Sequence, residues 1–587
     1  MTPWACSAQI YTGFGDRNGL MRFISLIAAM LVASLGAAAL WFYFDQPVPV
    51  DPSWDKPMSS VSFAPFRRGQ SPLTKVYPTP AQVEEDVRSL VGLAQGVRTY
   101  TSREGMEVVP ELAAKYGLKV IFGAWLGSEV EKKGKVINEA EVTSLIKLAN
   151  EHPDAINRVI VGNEVLLRGD LKPDELIAYI RRVKAAVKQP VSYADVWAFY
   201  LKYPEIANEV DYITIHILPF WEDEPASIDH VEEHVTKIVE KIRKAFPGKP
   251  ILIGEAGWPS IGRDRGPAVV STVNEARFVR KMAQIADKYN FDYNIVEAFD
   301  QPWKSELENT VGAAWGILDI DRKAKFQMSG PVEEVADWQK RAAIGIAFAC
   351  VLTLLFGRGL PGVRERFVFA VLAQILGWLT STTCFHADAV SFRWWQDIWE
   401  ILRDGVPVLF TVVALRRAAE LLNGEKDADP ADLWKGEAMT LYFGVYAFVW
   451  TVLLFVDGRY RDIPVIDFSV PCAAILALSL IRVIKGGGLA GWGLNGLFTP
   501  ALSRSVFKGK LARILAWGLP LSAFLAVASE GLALAQGEDF TKDHPVFAEQ
   551  WPLVLNGMFD NREMVLWAGM LLVMSIPYLV WRKTSHR

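Results

Sequence analysis

The chain is poor in the residues that staple or metallate small proteins. Its 587 residues include four cysteines and seven histidines. Cys6, Cys350, Cys384 and Cys472 show no CxxC or finger spacing, which excludes a disulfide scaffold and the common zinc modules. Three of them lie in or beside apolar runs, where a free thiol behaves as a small hydrophobe. No group of His, Cys and carboxylates has metal-ligand spacing, no glycine-rich phosphate loop follows the first strand, and no cofactor motif is present, so the expected cofactor and metal content is none. Basic residues are not in excess: the net charge is −4, so no nucleic acid is expected as a partner. A composition of 51% hydrophobic and 22% charged residues excludes disorder.

Mean hydropathy is +0.17, high for a soluble domain, while the charge is high for a pure membrane bundle. Two unlike parts explain the average. Residues 51–337 hold 36 Lys and Arg against 43 Asp and Glu, and residues 338–587 hold 24 against 21. The first part reads as an acidic soluble domain and the second as membrane-embedded.

Residues 23–44 form an uncharged apolar run, and about 20 such residues span a bilayer. Arg17 and Arg22 precede it, which puts residues 1–22 on the cytoplasmic side. The run reads as an uncleaved signal anchor. Gly36–Ala39 leaves a cleavage site open, and Met21 leaves open a later start of translation. Seven more spans are expected between 342 and 581, at about 342–357, 367–386, 395–415, 438–456, 464–482, 512–534 and 563–581. Stretches 357–366, 416–437, 482–513 and 582–587 carry 16 of the 24 basic residues after 337. This bias alternates correctly if both termini are cytoplasmic, leaving residues 45–340 on the far side. Glu400, Arg403 and Asp404 fall in the third of these spans and Glu530 in another apolar run, where ionisable groups are costly and point to function or to local pairing. The basic loop Gly458–Asp462 falls on the far side, against the positive-inside tendency, which suggests a role facing the soluble domain.

In the acidic part eight β-like runs begin near residues 60, 96, 119, 158, 190, 211, 250 and 292, with helix-like segments between them. Thr79-Pro80 and Lys172-Pro173 read as helix starts. Eight alternations in about 270 residues predict a (β/α)8 TIM barrel over residues 58–328, preceded by one transmembrane helix and followed by an α-helical bundle of about seven spans. Barrel chemistry sits at the C-terminal strand ends. These carry Arg98 and Tyr100, Asn163 and Glu164, Asp195 and Trp197, His216, Glu255 and Trp258, then Glu297, Asp300, Trp303 and Lys304. Glu164 and Glu255 are 91 residues apart, near three βα units, which sets them across the mouth from each other. Two carboxyls facing across a cleft suit glycoside cleavage, and aromatic rings at the rim suit sugar faces. His216 reads equally as a mouth residue or as a satisfied core histidine.

Val161-Gly162-Asn163-Glu164-Val165 and Gly254-Glu255-Ala256-Gly257-Trp258-Pro259-Ser260 resemble the two signatures of glycoside hydrolase family 17. Asp300…Trp303-Lys304 and Trp315-Gly316 resemble its strand-eight region. The resemblance covers about half the chain. It implies a retaining mechanism on β-1,3-glucan, with Glu164 as general acid/base, Glu255 as nucleophile and Asn163 on the sugar 2-hydroxyl. Arg98, Tyr100, Asp195, Trp197, His216, Trp258, Glu297, Asp300, Trp303 and Lys304 are the further substrate-site candidates. Plant members read Asp-Glu after the eighth strand, whereas Gln301 follows Asp300 here; Glu297 or Glu308 is the candidate substitute. Lys304 is expected to pair with a catalytic carboxylate. Joined to several spans, such a domain resembles bacterial β-1,6-glucan synthases of the inner membrane, with the barrel in the periplasm and glucan, lipid bilayer and a synthase or exporter as partners. Plain β-1,3-glucan hydrolysis and a non-catalytic glucan-binding role in an exporter are the alternatives.

Overall fold

The computed structural model describes residues 15–584 except 393, 425–429, 457, 488–491, 493–496 and 498–505. Cys6 and most of the segment before Met21 lie outside the described residues. A closed barrel of eight parallel strands stands at its centre: β1 Ser60–Ser62, β2 Gly96–Arg98, β3 Lys119–Ala124, β4 Ile156–Asn163, β5 Val191–Val196, β6 Ile213–His216, β7 Ile251–Ala256 and β8 Asp292–Ile295. β8 closes onto β1 with Ser60 opposite Asn294. Each expected run overlaps one strand. The strands stop short of the expected ends because the ladder gives way to loops at the mouth.

Alternation along the strands makes two cores. Ile121, Ile160, Ala194, Tyr212 and Leu252 form one small cluster, while Phe122, Val159, Val161 and Ile253 belong to a separate, larger one. Neighbouring strand residues face opposite sides, so the small set fills the barrel and the large set seats the helices. Each fully buried Val, Leu, Ile or Phe among them contributes about 1.5–3 kcal/mol. Helices start where the sequence indicates. Thr79 Oγ1 accepts the Gln82 N–H at 3.3 Å and Gln82 Oε1 accepts the Thr79 N–H at 2.9 Å, capping the helix Pro80–Ser89. The helix Pro173–Ala186 begins on its proline.

Among the described residues seven helices are long and apolar enough to cross a membrane: Gly19–Asp45, Trp338–Phe356, Val363–Ala389, Ala438–Val456, Val465–Gly486, Gly509–Ala535 and Arg562–Val580. The expected third span of the C-terminal part lies in the helix Trp394–Asn423, which carries Glu400, Arg403 and Asp404 before its apolar middle and Arg416, Arg417 and Glu420 after it and is not among these seven. The Arg403 guanidinium reaches Asp467 on the neighbouring helix Val465–Arg482 at 3.0 Å. Phe410, Phe443, Phe468 and Trp567 are buried in a common core. The N-terminal helix joins this bundle, packing Ala29 and Ala33 against Ala370 and Trp41 against Trp378 at 5.5 Å.

Loops from the C-terminal ends of the strands meet the bundle. After β6, Asp223 accepts the Asp539 N–H at 2.9 Å. After β7, Arg263 reaches Glu530 at 2.8 Å. After β8, Thr310 Oγ1 donates to Asp462 Oδ2 at 2.5 Å. The mouth of the barrel therefore faces the helices. On the barrel's flank, Val48 and Val332 pair antiparallel and hold its entering and leaving segments together.

Candidate active site

Glu164 stands at the first position past β4, and Glu255 is the penultimate residue of β7. Gly162 (φ +88°) and Glu164 (φ +53°) both lie in the left-handed region, which costs about 1–2 kcal/mol for a residue with a side chain. This turn ends β4 and sets Glu164 over the mouth, while its N–H still donates to the Ala194 carbonyl of β5 at 2.8 Å. His216, the last residue of β6, sits between the two acids. Its Nδ1 is 2.9 Å from Glu164 Oε1 and its Nε2 is 3.6 Å from Glu255 Oε1. One oxygen of each carboxylate and a histidine nitrogen all lie within 4.8 Å of one another.

Those three groups also have the donor types of a metal site, which spacing along the chain could not reveal because they come from three strands. The Arg98 guanidinium, 3.3 Å from Glu255 Oε1, opposes a further cation there. Arg98 is 1% exposed. It donates to the Gly254 carbonyl at 2.6 Å, to Glu255 and, through Nη2, to Asn163 Oδ1 at 2.6 Å. Gly254 permits this: a Cβ there would lie 2.5 Å from Thr214 and 3.4 Å from Arg98. One buried cation thus fixes the nucleophile candidate and its asparagine neighbour together. Arg98 also stacks on Tyr100 at 4.6 Å, whose hydroxyl meets Ser62 at 2.7 Å. Burial, and then the charge of Glu255, hold the Tyr100 phenol well above its ordinary range.

Burial pushes the Glu164 carboxyl up, but the hydrogen bond and charge of His216, then Arg168 and Arg98, outweigh it and hold it below its ordinary value. Asp195 behaves oppositely: burial raises it to about 6, against the hydrogen bond from the Tyr193 hydroxyl. Burial likewise lifts Glu297 to about 7 although Lys304 lies 2.6 Å away.

A cavity of about 700 Å³ lies over the acids, lined by Glu164, His216, Glu255 and Lys304. Several expected substrate residues stand outside it. Asp195 is fully buried and engaged by Tyr193. Trp197 donates to Glu222 and is covered by Lys241 at 4.6 Å. Trp258 is 0% exposed, with its indole N–H on the Val269 carbonyl at 2.9 Å. Asp300 accepts the Gly316 N–H and pairs with Lys325. Trp303 donates to Gln301 at 2.8 Å. Each already has a partner within the protein, and of the five only Asp195 lies on a strand. Lys304 pairs with Glu297 rather than with Glu164 or Glu255.

Further residues line the cavity, among them Glu308, the candidate substitute for the missing acid, and Trp315 of the strand-eight motif. Trp221 and Trp315 lie parallel at 6.3 Å, with 20° between their planes. Glu308 faces the cavity beside Gly312, where a Cβ would approach Glu308 within 2.4 Å. Arg459, Tyr460 and residues between Gln536 and Lys542 come from the helical part. The basic loop Gly458–Asp462, out of place by charge bias, was the one signal for them.

Residues 60–316 match the family model described as the BtgE/BtgC glycoside hydrolase domain. The chain is 29% identical over 275 residues to a glucan 1,3-beta-glucosidase of Arthroderma benhamiae, covering 44% of this chain and 87% of that protein. It is 27% identical over 233 residues to the probable beta-glucosidase btgE of Neosartorya fischeri, of which the match spans 40%. Among solved structures it is similar to the glycoside hydrolase family 17 beta-1,3-glucanosyltransferase from Rhizomucor miehei, at 26% identity and a TM-score of 0.41, covering 46% of this chain and 97% of that one.

Proposed function

We propose that the protein is a membrane-anchored retaining enzyme that cleaves β-1,3-glucosidic bonds and transfers glucosyl units to a glucan acceptor, a reading supported by the match of residues 60–316 to the BtgE/BtgC glycoside hydrolase domain. The carrying observation is the approach of Glu164, His216 and Glu255 within 4.8 Å. A retaining pair needs carboxyls about 5–5.5 Å apart, and an inverting pair about 6.5–9.5 Å to admit a water.

Glu255 attacks the anomeric carbon as the bond to the leaving oxygen breaks, and Glu164 gives that oxygen its proton. Glu164 then takes a proton from an incoming hydroxyl, which displaces Glu255 and regenerates both acids. Arg98 holds the Glu255 carboxylate. Because Asn163 spends its Oδ1 on Arg98, its amide nitrogen is left for the sugar 2-hydroxyl.

Water as the second hydroxyl makes the enzyme a β-1,3-glucanase; a sugar makes it a glucosyltransferase, with a β-1,6 link as one product. The placing of the mouth against the helices favours transfer, because residues beyond the barrel can hold an acceptor. In this reading residues 58–328 are the catalytic unit, residues 342–581 are a transmembrane unit, and 23–44 is an uncleaved anchor, which the packing of Ala33 and Trp41 against the bundle supports. The charge bias of the connections supports a topology with the barrel on the non-cytoplasmic side, which in a bacterial inner membrane is the periplasm. Incubating the full chain with laminari-oligosaccharides tests the proposal. Products longer than the substrate are expected at high concentration; shorter products alone would reduce it to hydrolysis, and no turnover would remove it.

A further inference from the structure

The cavity over Glu164 and Glu255 is not walled by the barrel alone. Arg459 and Tyr460, on the loop between the helices ending at Val456 and beginning at Val465, and residues from Gln536 to Lys542, after the helix ending at Ala535, line it as well. All lie outside residues 60–316, the extent of the family match.

Both segments are held in place. Arg263, 6% exposed in its side chain, donates to the Gly458 carbonyl and to Glu530. Asp462 accepts from Thr310 at 2.5 Å, and its carbonyl accepts the Trp450 indole N–H at 2.9 Å. The loop is thus pinned on either side of Arg459 and Tyr460. On the second segment the Asp539 N–H donates to Asp223, and a Cβ on Gly537 would lie 2.9 Å from that aspartate. Binding groups fixed before a ligand arrives spare the cost of ordering them.

What they present suits a saccharide. Tyr460 meets Trp221 edge-on at 5.2 Å, and Trp221 stacks with Trp315. The Arg459 guanidinium sits 5.7 Å from the Tyr460 and Trp221 rings. Aromatic surface with adjoining charged and amide groups matches a glucose unit, apolar on its faces and hydroxylated at its edge. A second cavity of about 990 Å³ between barrel and helices shares Asp223, Arg459, Gln536 and Gly537 with the first, so a chain leaving the acids on this side has room to continue.

We infer that Arg459 and Tyr460, with Gln536–Asp539, form a saccharide subsite built by the helical part for the stretch of β-glucan that extends beyond the Glu164–Glu255 pair. The inference rests on the retaining β-glucan reading above and gives the helices a share in substrate binding as well as anchoring.

The full-length protein in detergent decides it, with kcat/KM measured for laminaritriose and laminarihexaose. In the variant R459A/Y460A the ratio of hexaose to triose falls about tenfold, the equivalent of one or two ring and cation contacts. In Tyr460→Phe, which keeps the ring, the ratio stays within about twofold of the parent. Tyr460→Ala alone serves if the double variant does not fold, with a smaller fall in the same direction. An unchanged ratio in the alanine variants, with the parent active, overturns the subsite and leaves the enzyme reading standing. A parent inactive on both sugars overturns the enzyme reading and the subsite with it.

Discussion

Nδ1 of His216 lies 2.9 Å from Oε1 of Glu164. The contact sets the protonation of the residue proposed to donate the leaving-group proton. Burial alone raises Glu164, while the hydrogen bond and charge of His216 bring it below its ordinary value.

Replacing His216 by alanine therefore moves the Glu164 pKa upward. A general acid works only while protonated, so activity on the alkaline side falls as Glu164 ionises. The alkaline limb of the kcat/KM profile is expected at higher pH in His216→Ala than in the parent. An unmoved limb, or one shifted to lower pH, would show that Glu164 is not set by His216.

Arg98 holds Glu255 and Asn163 from one guanidinium. Arg98→Met removes that frame and leaves Asn163 Oδ1 without its donor, while the Gly254 carbonyl keeps the Asn294 amide. Misplacing a reacting group by about 1 Å can cost about 10²-fold in rate, and that fall in kcat is the expected result. Stability drops as well, by about 3–5 kcal/mol for breaking a buried pair, read from a denaturant titration. A variant with parental kcat would remove Arg98 from the positioning of Glu255.

Lys304 supports Glu297, and a pH dependence follows. Burial has raised Glu297 to about 7 with Lys304 beside it. A carboxyl whose folded pKa lies above its ordinary value stabilises the fold at low pH, and that contribution is lost as pH rises through the folded pKa, here between about 4.5 and 7. Without Lys304 the ionised form is dearer still. Lys304→Met should lower Tm more at pH 8 than at pH 5, relative to the parent at each pH. An equal drop at both would mean that the pair is solvated.

The barrel and its two acids were legible for a physical reason. Eight strands buried on both faces leave eight apolar runs, and a (β/α)8 barrel places its polar residues at their C-terminal ends. The motifs around Glu164 and Glu255 stand out because each is a carboxyl inside an apolar, glycine-flanked strand end. Parity was the weaker guide. Trp258 and Asp195 sit at strand ends as expected, yet their side chains are buried and already partnered. Lys304 was expected beside a catalytic carboxylate and instead meets Glu297, seven residues earlier on the same loop. Least legible was the approach of Arg459 and Tyr460 to residues near 164 and 255. The misplaced charge of their loop pointed it toward the soluble domain, but which residues meet depends on how barrel and helices dock, through Arg263, Asp223 and Thr310. The helix Trp394–Asn423 carries a similar lesson. Its charges left a local pair and a functional role both open, and Arg403 crosses to Asp467.

Rescue by azide tests the division of labour between Glu255 and Glu164. Glu255→Ala and Glu164→Ala are each given a dinitrophenyl β-laminari-oligoside with sodium azide, and the anomeric configuration of the glycosyl azide is read by NMR. Without Glu255, azide attacks from the vacated side and the α-azide forms. Without Glu164, the Glu255 ester still forms and azide displaces it, so the product is the β-azide. The reverse assignment, or the same anomer from both variants, would contradict the roles given to these two residues.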